Sequence, residues 1–284
     1  KPGGWYGNQW AWNPEGRTTY DEPLCWMHNF VDRSGGTQLW VPTDQWGPFR
    51  DEIITISYGM GHMFLLLKEE VGGMMQGAVT RFPLEFETGA MRGAWHPQSG
   101  QLYTCGLFGW AGNKTKAGGF YRVRYTGQPA HMAHALHFVR DGIVLGFTDP
   151  LDGKSATDRG NYHVTAWNYK WTADYGSPDF RLSGQEGRDT WPVESATLSA
   201  DRQTVFLKVP DAQRVMQLHL VFNLMFADGA KVENFVHGTI HKLDVKSGAD
   251  WLGSGAIARA ETVQAKLAHE APGLIQTFTS AAGA

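Results

Sequence analysis

From Leu24 onward the chain is a succession of short apolar runs punctuated by glycine, proline and other turn residues. Gln38–Val41, Glu52–Tyr58, His62–Leu67, Gly77–Phe82, Ala90–Trp95, Gln101–Thr104 and Gly119–Tyr125 recur at the short spacing of an antiparallel meander. His96-Pro97-Gln98-Ser99-Gly100 reads as a tight reversal between two of these strands. The texture changes at Tyr125-Thr126-Gly127-Gln128-Pro129, where a domain boundary is expected. Beyond it, Gly142–Phe147, Tyr162–Trp167, Val193–Leu198, Thr204–Val209, Gln217–Phe222 and Thr239–Leu243 are short strands of the kind that build an immunoglobulin-like β-sandwich. A polar insertion, Lys170–Asp189, interrupts them. Ala256–His269, with Ile257, Val263 and Leu267 at loose helical spacing, predicts a tail or docking helix.

Composition narrows the classes. Thirty-five glycines and 12 tryptophans in 284 residues suit strands, tight turns and aromatic-lined surfaces, not a helical bundle. With 42% hydrophobic and 19% charged residues the chain can bury a sizeable core. A formal charge of −3 argues against nucleic acid as a partner, because such binders need a basic face to displace counterions. No apolar run approaches the roughly 18 to 20 residues of a membrane helix, so no membrane span is expected. The two cysteines, Cys25 and Cys105, exclude a disulfide scaffold, a thiolate zinc site and a c-type haem attachment motif. The start Lys1-Pro2-Gly3-Gly4-Trp5 shows no targeting core, and fits a mature terminus or an internal point of a longer precursor.

Several residues invite chemistry, each with a plainer role beside it. Trp46, Phe108 and Trp110 lie on glycine-flanked loops, where rings can stack on sugars or quinones, or simply pack. His28, close to Asp32, follows a short apolar run and is a candidate for substrate contact; a loop surface is the alternative. His62 is a candidate general base, or a strand-end histidine hydrogen-bonded to a carbonyl. His131, His134 and His137 would share a metal on a helix but point to opposite faces on a strand, the geometry expected here. His237 and His241 fall on one strand face about 13 Å apart and do not make a site together. Asp149, Asp152 and Asp158 could hold calcium, yet aspartate also builds turns. No metal ligand set is assigned.

Pro23-Leu24-Cys25-Trp26-Met27, Gln45-Trp46-Gly47-Pro48-Phe49 and Ile56-Ser57-Tyr58-Gly59 resemble the closing blades of one propeller family. Gly106-Leu107-Phe108-Gly109-Trp110, Gly119–Gly127, Phe147–Asp152, Trp167–Trp171 and Asp174–Asp179 extend the likeness over roughly residues 23 to 243. The family is that of glucose/sorbosone dehydrogenase-like six-bladed propellers, in the large "membrane-bound dehydrogenase" variant of planctomycete and verrucomicrobial bacteria. The resemblance implies an all-β chain: a partial β-propeller of two or three last blades over residues 1–127, an immunoglobulin-like sandwich over 128–244 and an Ala-rich tail over 245–284. It also implies pyrroloquinoline quinone and calcium as cofactors and a periplasmic or extracellular setting. Tyr58 stands where the family places a histidine near the cofactor, a departure from its quinone site; Tyr58 and His62 are the candidate catalytic pair, the one a non-redox hydrolase or lyase would use, with Trp110, Phe108, Trp46 and His28 as candidate substrate contacts. The expected function is that of the C-terminal portion of a secreted, sugar dehydrogenase-like redox protein, acting on a carbohydrate or other small molecule and joined to the remainder of a larger chain or another subunit. The alternatives are a non-catalytic glycan-binding or assembly module, and a non-redox carbohydrate hydrolase or lyase.

Overall fold

Runs rich in β-branched and aromatic residues, broken by turns too short for crossover helices, satisfy their backbone groups only against neighbouring strands. The computed structural model, which describes residues 3–7, 15–16, 19–108 and 114–253, is accordingly all-β. Its first strands are β1 (Gly35–Trp40), β2 (Ile53–Ser57), β3 (His62–Val71), β4 (Met74–Glu85), β5 (Gly89–Trp95), β6 (Leu102–Leu107) and β7 (Gly118–Val123). There follow β8 (Ala133–Val139), β9 (Gly142–Phe147), a one-turn helix α1 (Gly153–Thr157), β10 (Tyr162–Trp167) and β11 (Asp189–Trp191). The set ends with β12 (Ser195–Leu198), β13 (Thr204–Lys208), β14 (Val215–Met225) and β15 (Lys231–Ile240).

Among the described residues three antiparallel sheets result, and none of them closes on itself. The largest has eight strands in the order β1-β2-β3-β4-β15-β14-β10-β11; the others run β12-β13-β9-β8 and β5-β6-β7. The eight-stranded sheet is continuous across the boundary expected near residue 127, because β4 pairs with β15 through His237↔Val79 and Gly238↔Ala78. A Cβ on Gly238 would lie 2.5 Å from the Ala78 Cβ and 2.7 Å from the Gly77 carbonyl oxygen, so this join needs a bare backbone. Gly238→Ala is therefore expected to cost about 1–3 kcal/mol through overpacking. A urea midpoint equal to that of the wild type would show that the join tolerates a methyl group.

Among the described residues the main hydrophobic cluster joins the two larger sheets. Met63, Leu65 and Leu67 of β3 share it with Leu218, Leu220 and Phe222 of β14, and with Ile143, Leu145 and Phe147 of β9. The four-stranded sheet thus covers one face of the eight-stranded sheet, with Phe147 edge-on to Phe222 at 5.6 Å. Alternate residues of β9 face the other way. Val144 packs with Val139, Phe206, Trp251 and Leu252, so β9 is buried on both sides and reads as a continuous apolar run. On the far face of the large sheet, Phe64, Leu66 and Val79 are covered by Val31, Leu24 and Met27 of the N-terminal segment.

The last strand departs from the expected Thr239–Leu243: β15 occupies Lys231–Ile240 instead. Its polar Asn234, His237 and Thr239 are all buried, so alternation of apolar and polar residues does not mark the strand. The aspartates of the 149–158 loop act as turn builders. Asp152 Oδ1 accepts from the Ser155 N–H at the start of α1, and Asp158 Oδ1 from the Gly160 N–H. Asp149 Oδ2 accepts from the N–H groups of Ala130 and His131. His131 and His137 go separate ways, the first to Asp228 at 2.8 Å and the second to Glu69 and Asp244. Cys25 and Cys105 are free thiols. Among the described residues no helix is long and apolar enough to cross a membrane, and the helix expected over 256–269 lies outside them.

Candidate functional site

The site grows out of strand register. Trp167↔Gln217, Thr165↔His219 and His219↔His237 are paired neighbours on β10, β14 and β15. The intervening residues, Val164, Leu218 and Val236, belong to the core. Trp167, Gln217, His219 and His237 therefore share the opposite face. The N-terminal segment is laid over that face by polar contacts. The Trp26 N–H donates to Thr239 Oγ1 at 2.8 Å, and the His28 N–H approaches His237 Nε2 at 3.4 Å. The polar insertion after β10 forms the second wall.

Between the two lies a cleft of about 310 Å³, walled by Tyr6, Tyr20, Trp26, Tyr169 and Trp171. The rings brace one another edge-to-face: Trp26 on Tyr169 at 5.1 Å, Tyr20 on Trp26 at 5.3 Å, Tyr20 on Trp171 at 5.7 Å and Trp5 on Trp171 at 5.2 Å. His28, Asp179 and Gln217 supply polar lining. His28 Nε2 lies 3.1 Å from Asp179 Oδ1, while Arg188 Nε donates to Asp179 Oδ2 at 2.7 Å. The Arg188 guanidinium is stacked 4.0 Å above the Trp167 ring and 5.0 Å from the Phe30 ring. Behind the floor, His237 is engaged at both ring nitrogens, Nδ1 facing His219 Nδ1 at 3.3 Å and Nε2 facing Gln217 Oε1 at 2.8 Å.

Burial sets the protonation of this group. It lowers the pKa of His28, with Arg188 adding to the effect and Asp179 opposing it. It drives His219 down to about 4, helped by the positive fields of Arg188, His163 and His28. His237, deeper still, lies well below the ordinary histidine value for the same reason, with His219 reinforcing it. Burial raises the phenols of Tyr20 and Tyr169. At neutral pH the cleft thus presents the neutral His28 imidazole, intact phenols and the Gln217 amide, with Asp179 held by Arg188 and with Lys170 and Asp174 also in its lining. The rings, the imidazole and the amide can stack on and exchange hydrogen bonds with a hydroxyl-bearing ligand.

Of the residues singled out in the sequence, His28 alone lines this cleft. Tyr58 lines a different cleft with Ser34, Gly36, Met91 and Arg92. His62 is buried at the start of β3, its Nε2 3.3 Å from Glu85 Oε1, which Lys114 also holds. Burial, with Arg81, keeps His62 below the ordinary histidine value against the pull of Glu85. Trp46 is 3% exposed, donates from Nε1 to the Gly100 carbonyl at 3.0 Å and packs edge-on against Trp95. Phe108 is half-exposed at the end of β6, and Trp110 lies outside the described residues. His241 turns to the Pro23 carbonyl and Glu22, away from His237. Sequence reading missed Tyr20, Trp26, Tyr169, Trp171 and Gln217; the signal was the density of aromatic residues at both edges of the N-terminal segment and the insertion.

The quinone and calcium ion implied by the resemblance find no matching ligand set here. Among the described residues, no three His, Cys, Asp or Glu side chains converge as a cation site, and no sheet closes around a central channel. No family model, curated protein or solved structure matches the chain.

Proposed function

We propose that the aromatic cleft binds a carbohydrate or a similar hydroxyl-bearing small molecule, and that the chain is the recognition part of a secreted, sugar-directed redox protein. The observation that carries the first statement is the pairing of edge-braced aromatic walls with hydrogen-bonding groups from His28 and Gln217. A sugar ring offers C–H faces that stack on aromatics and hydroxyls that both donate and accept. The wider placement rests on the resemblance to sugar dehydrogenase-like propellers. In that reading the strands from β1 to β7 correspond to last blades and those from β8 to β15 to an immunoglobulin-like module, the two fused through the β4–β15 pairing, and the location is periplasmic or extracellular.

Titration with D-glucose, D-xylose, cellobiose and N-acetylglucosamine, followed by tryptophan fluorescence, tests the cleft. Wild type should bind at least one of these sugars, and Trp171→Ala should weaken that binding about tenfold, the worth of one aromatic stacking partner. Absence of binding by the wild type, or equal affinity in the variant, would remove the carbohydrate reading.

A second role, in assembly, is favoured by the outer face of the three-stranded sheet. Leu107, Phe108 and Phe120 are 46, 51 and 73% exposed there. The remainder of a larger chain or another subunit would cover them. Sedimentation of the native protein beside a Phe120→Asp variant distinguishes the two roles: assembly shifts with the variant, sugar binding does not.

A further inference from the structure

Gln217 is 3% exposed, yet it belongs to the lining of the cleft. One end of its amide is occupied by His237, with Oε1 2.8 Å from the imidazole Nε2. The amide nitrogen has no partner among the described residues, and it is not one of the fully enclosed orphan atoms either. A nearly buried amide with a free end opening on a cleft is an unfilled hydrogen-bonding site. His237 cannot swing away from its contact. It is fully buried, its other ring nitrogen faces His219, and Trp167 and Phe30 lie at 5.7 Å on either contact. Gln217 Oε1 can only accept, so His237 Nε2 carries the single proton of the neutral imidazole and Nδ1 accepts from the His219 Nδ1–H; the His28 N–H, 3.4 Å from Nε2, is then a packing contact and not a hydrogen bond.

We infer that the buried His219–His237 pair positions the Gln217 amide to select a ligand by one hydroxyl group, making Gln217 the specificity-determining contact of the cleft and His237 its positioning residue. This rests on the carbohydrate reading above and adds to it a particular discrimination. Aromatic walls accept any ring with an apolar face, whereas a fixed amide rejects the analogue that lacks the matching oxygen. The ligand class is therefore an uncharged polyol or sugar with a free hydroxyl at the position that reaches the amide. A buried polar group left unpaired by a deoxy analogue makes that analogue bind worse than its lost contact area implies.

The experiment compares D-glucose with its monodeoxy analogues on wild type, Gln217→Met, His237→Gln and Trp171→Ala. Wild type should discriminate against one analogue about five- to tenfold. Gln217→Met should bind glucose more weakly and lose that discrimination, while Trp171→Ala should weaken every sugar alike and keep it. Because His237 is fully buried, its variant is paired with long-range ¹H–¹⁵N spectra of the wild-type histidine rings. Added glucose should shift the His237 and His219 nitrogens and leave those of His137 unmoved. If Trp171→Ala weakens glucose but Gln217→Met keeps the wild-type order of analogues, the inference falls and the carbohydrate reading stands. If the wild type binds no sugar, both fall together.

Discussion

Replacing Glu69 by alanine will destabilise the fold by about 2–3 kcal/mol, because it removes a buried carboxylate and its hydrogen bonds while Asp244 still faces the His137 imidazole. Glu69 is 4% exposed on β3, where its carboxylate meets the His137 imidazole of β8 and accepts from the Phe138 N–H at 3.2 Å. Gln76 donates to the same carboxylate and, through Oε1, accepts from the N–H groups of His241 and Lys242 just past β15. Asp244 closes the circuit on His137 Nε2 at 3.0 Å. The network thus ties the two large sheets and the chain beyond β15 to one another. Glu69→Gln, which keeps the backbone contact, should lose less. Urea unfolding of the three proteins measures the difference, and a loss below about 1 kcal/mol in the alanine variant would show that the network is not a structural tie. The same cluster sets a pH dependence. Burial alone would lower His137, but hydrogen bonds and charges from Glu69 and Asp244 outweigh it and raise the pKa. A histidine whose folded pKa is raised contributes fully below its unfolded value near 6.5, and that contribution fades as pH climbs through the folded value. Wild type should therefore lose stability as pH rises from about 6.5 through the raised folded value, and Glu69→Ala, which keeps only Asp244 beside His137, should show a smaller slope.

Local patterning made much of the fold legible. Gly142–Phe147 and Tyr162–Trp167 can be read from the chain with the bounds of β9 and β10, because each is an uninterrupted or alternating apolar run between turn residues. The all-β class follows from the same short runs. What alternation cannot supply is the neighbour of each strand. β4 and β15 are distant in sequence and meet through only two register pairs, so nothing local announces that the sheet crosses residue 127. β15 itself is obscured because its second face is covered by the N-terminal segment, and a covered face can hold His237 and Thr239 once partners are provided. The site was hidden for a related reason. His28 is conspicuous as a residue, but the group its backbone meets lies 209 positions away. Trp171 sits in what reads as a polar insertion, although Tyr169 and Trp171 turn that insertion into a wall of the cleft. Resemblance pointed to Tyr58 and His62; burial and hydrogen bonding gather a different set of groups.

Trp167→Ala is expected to cost about 3–5 kcal/mol and to weaken sugar binding without removing any group that lines the cleft. The ring is fully buried and supports the Arg188 guanidinium at 4.0 Å; Arg188 in turn holds Asp179, which faces His28. Its Nε1 has no hydrogen-bond partner, so Trp167→Phe removes volume but no polar contact and should retain most of the stability and binding. The acid response separates this account from a simple cavity effect. His219 at about 4 and His237 below the ordinary value are neutral in the folded protein, but they take up protons near 6.5 once unfolded. The unfolded chain then binds more protons across that window, so stability is fully present above about 6.5 and falls with acid by about 1.4 kcal/mol per pH unit for each such histidine. Opening the Trp167 site to water raises both histidines toward their ordinary value and flattens the slope. Unfolding free energies at pH 7 and pH 5 should therefore show the alanine variant far below wild type at the higher pH and closer to it at the lower. Parallel acid losses in the two proteins would mean that Trp167 does not keep these histidines dry, and their neutrality behind the cleft would have to be ascribed to other groups.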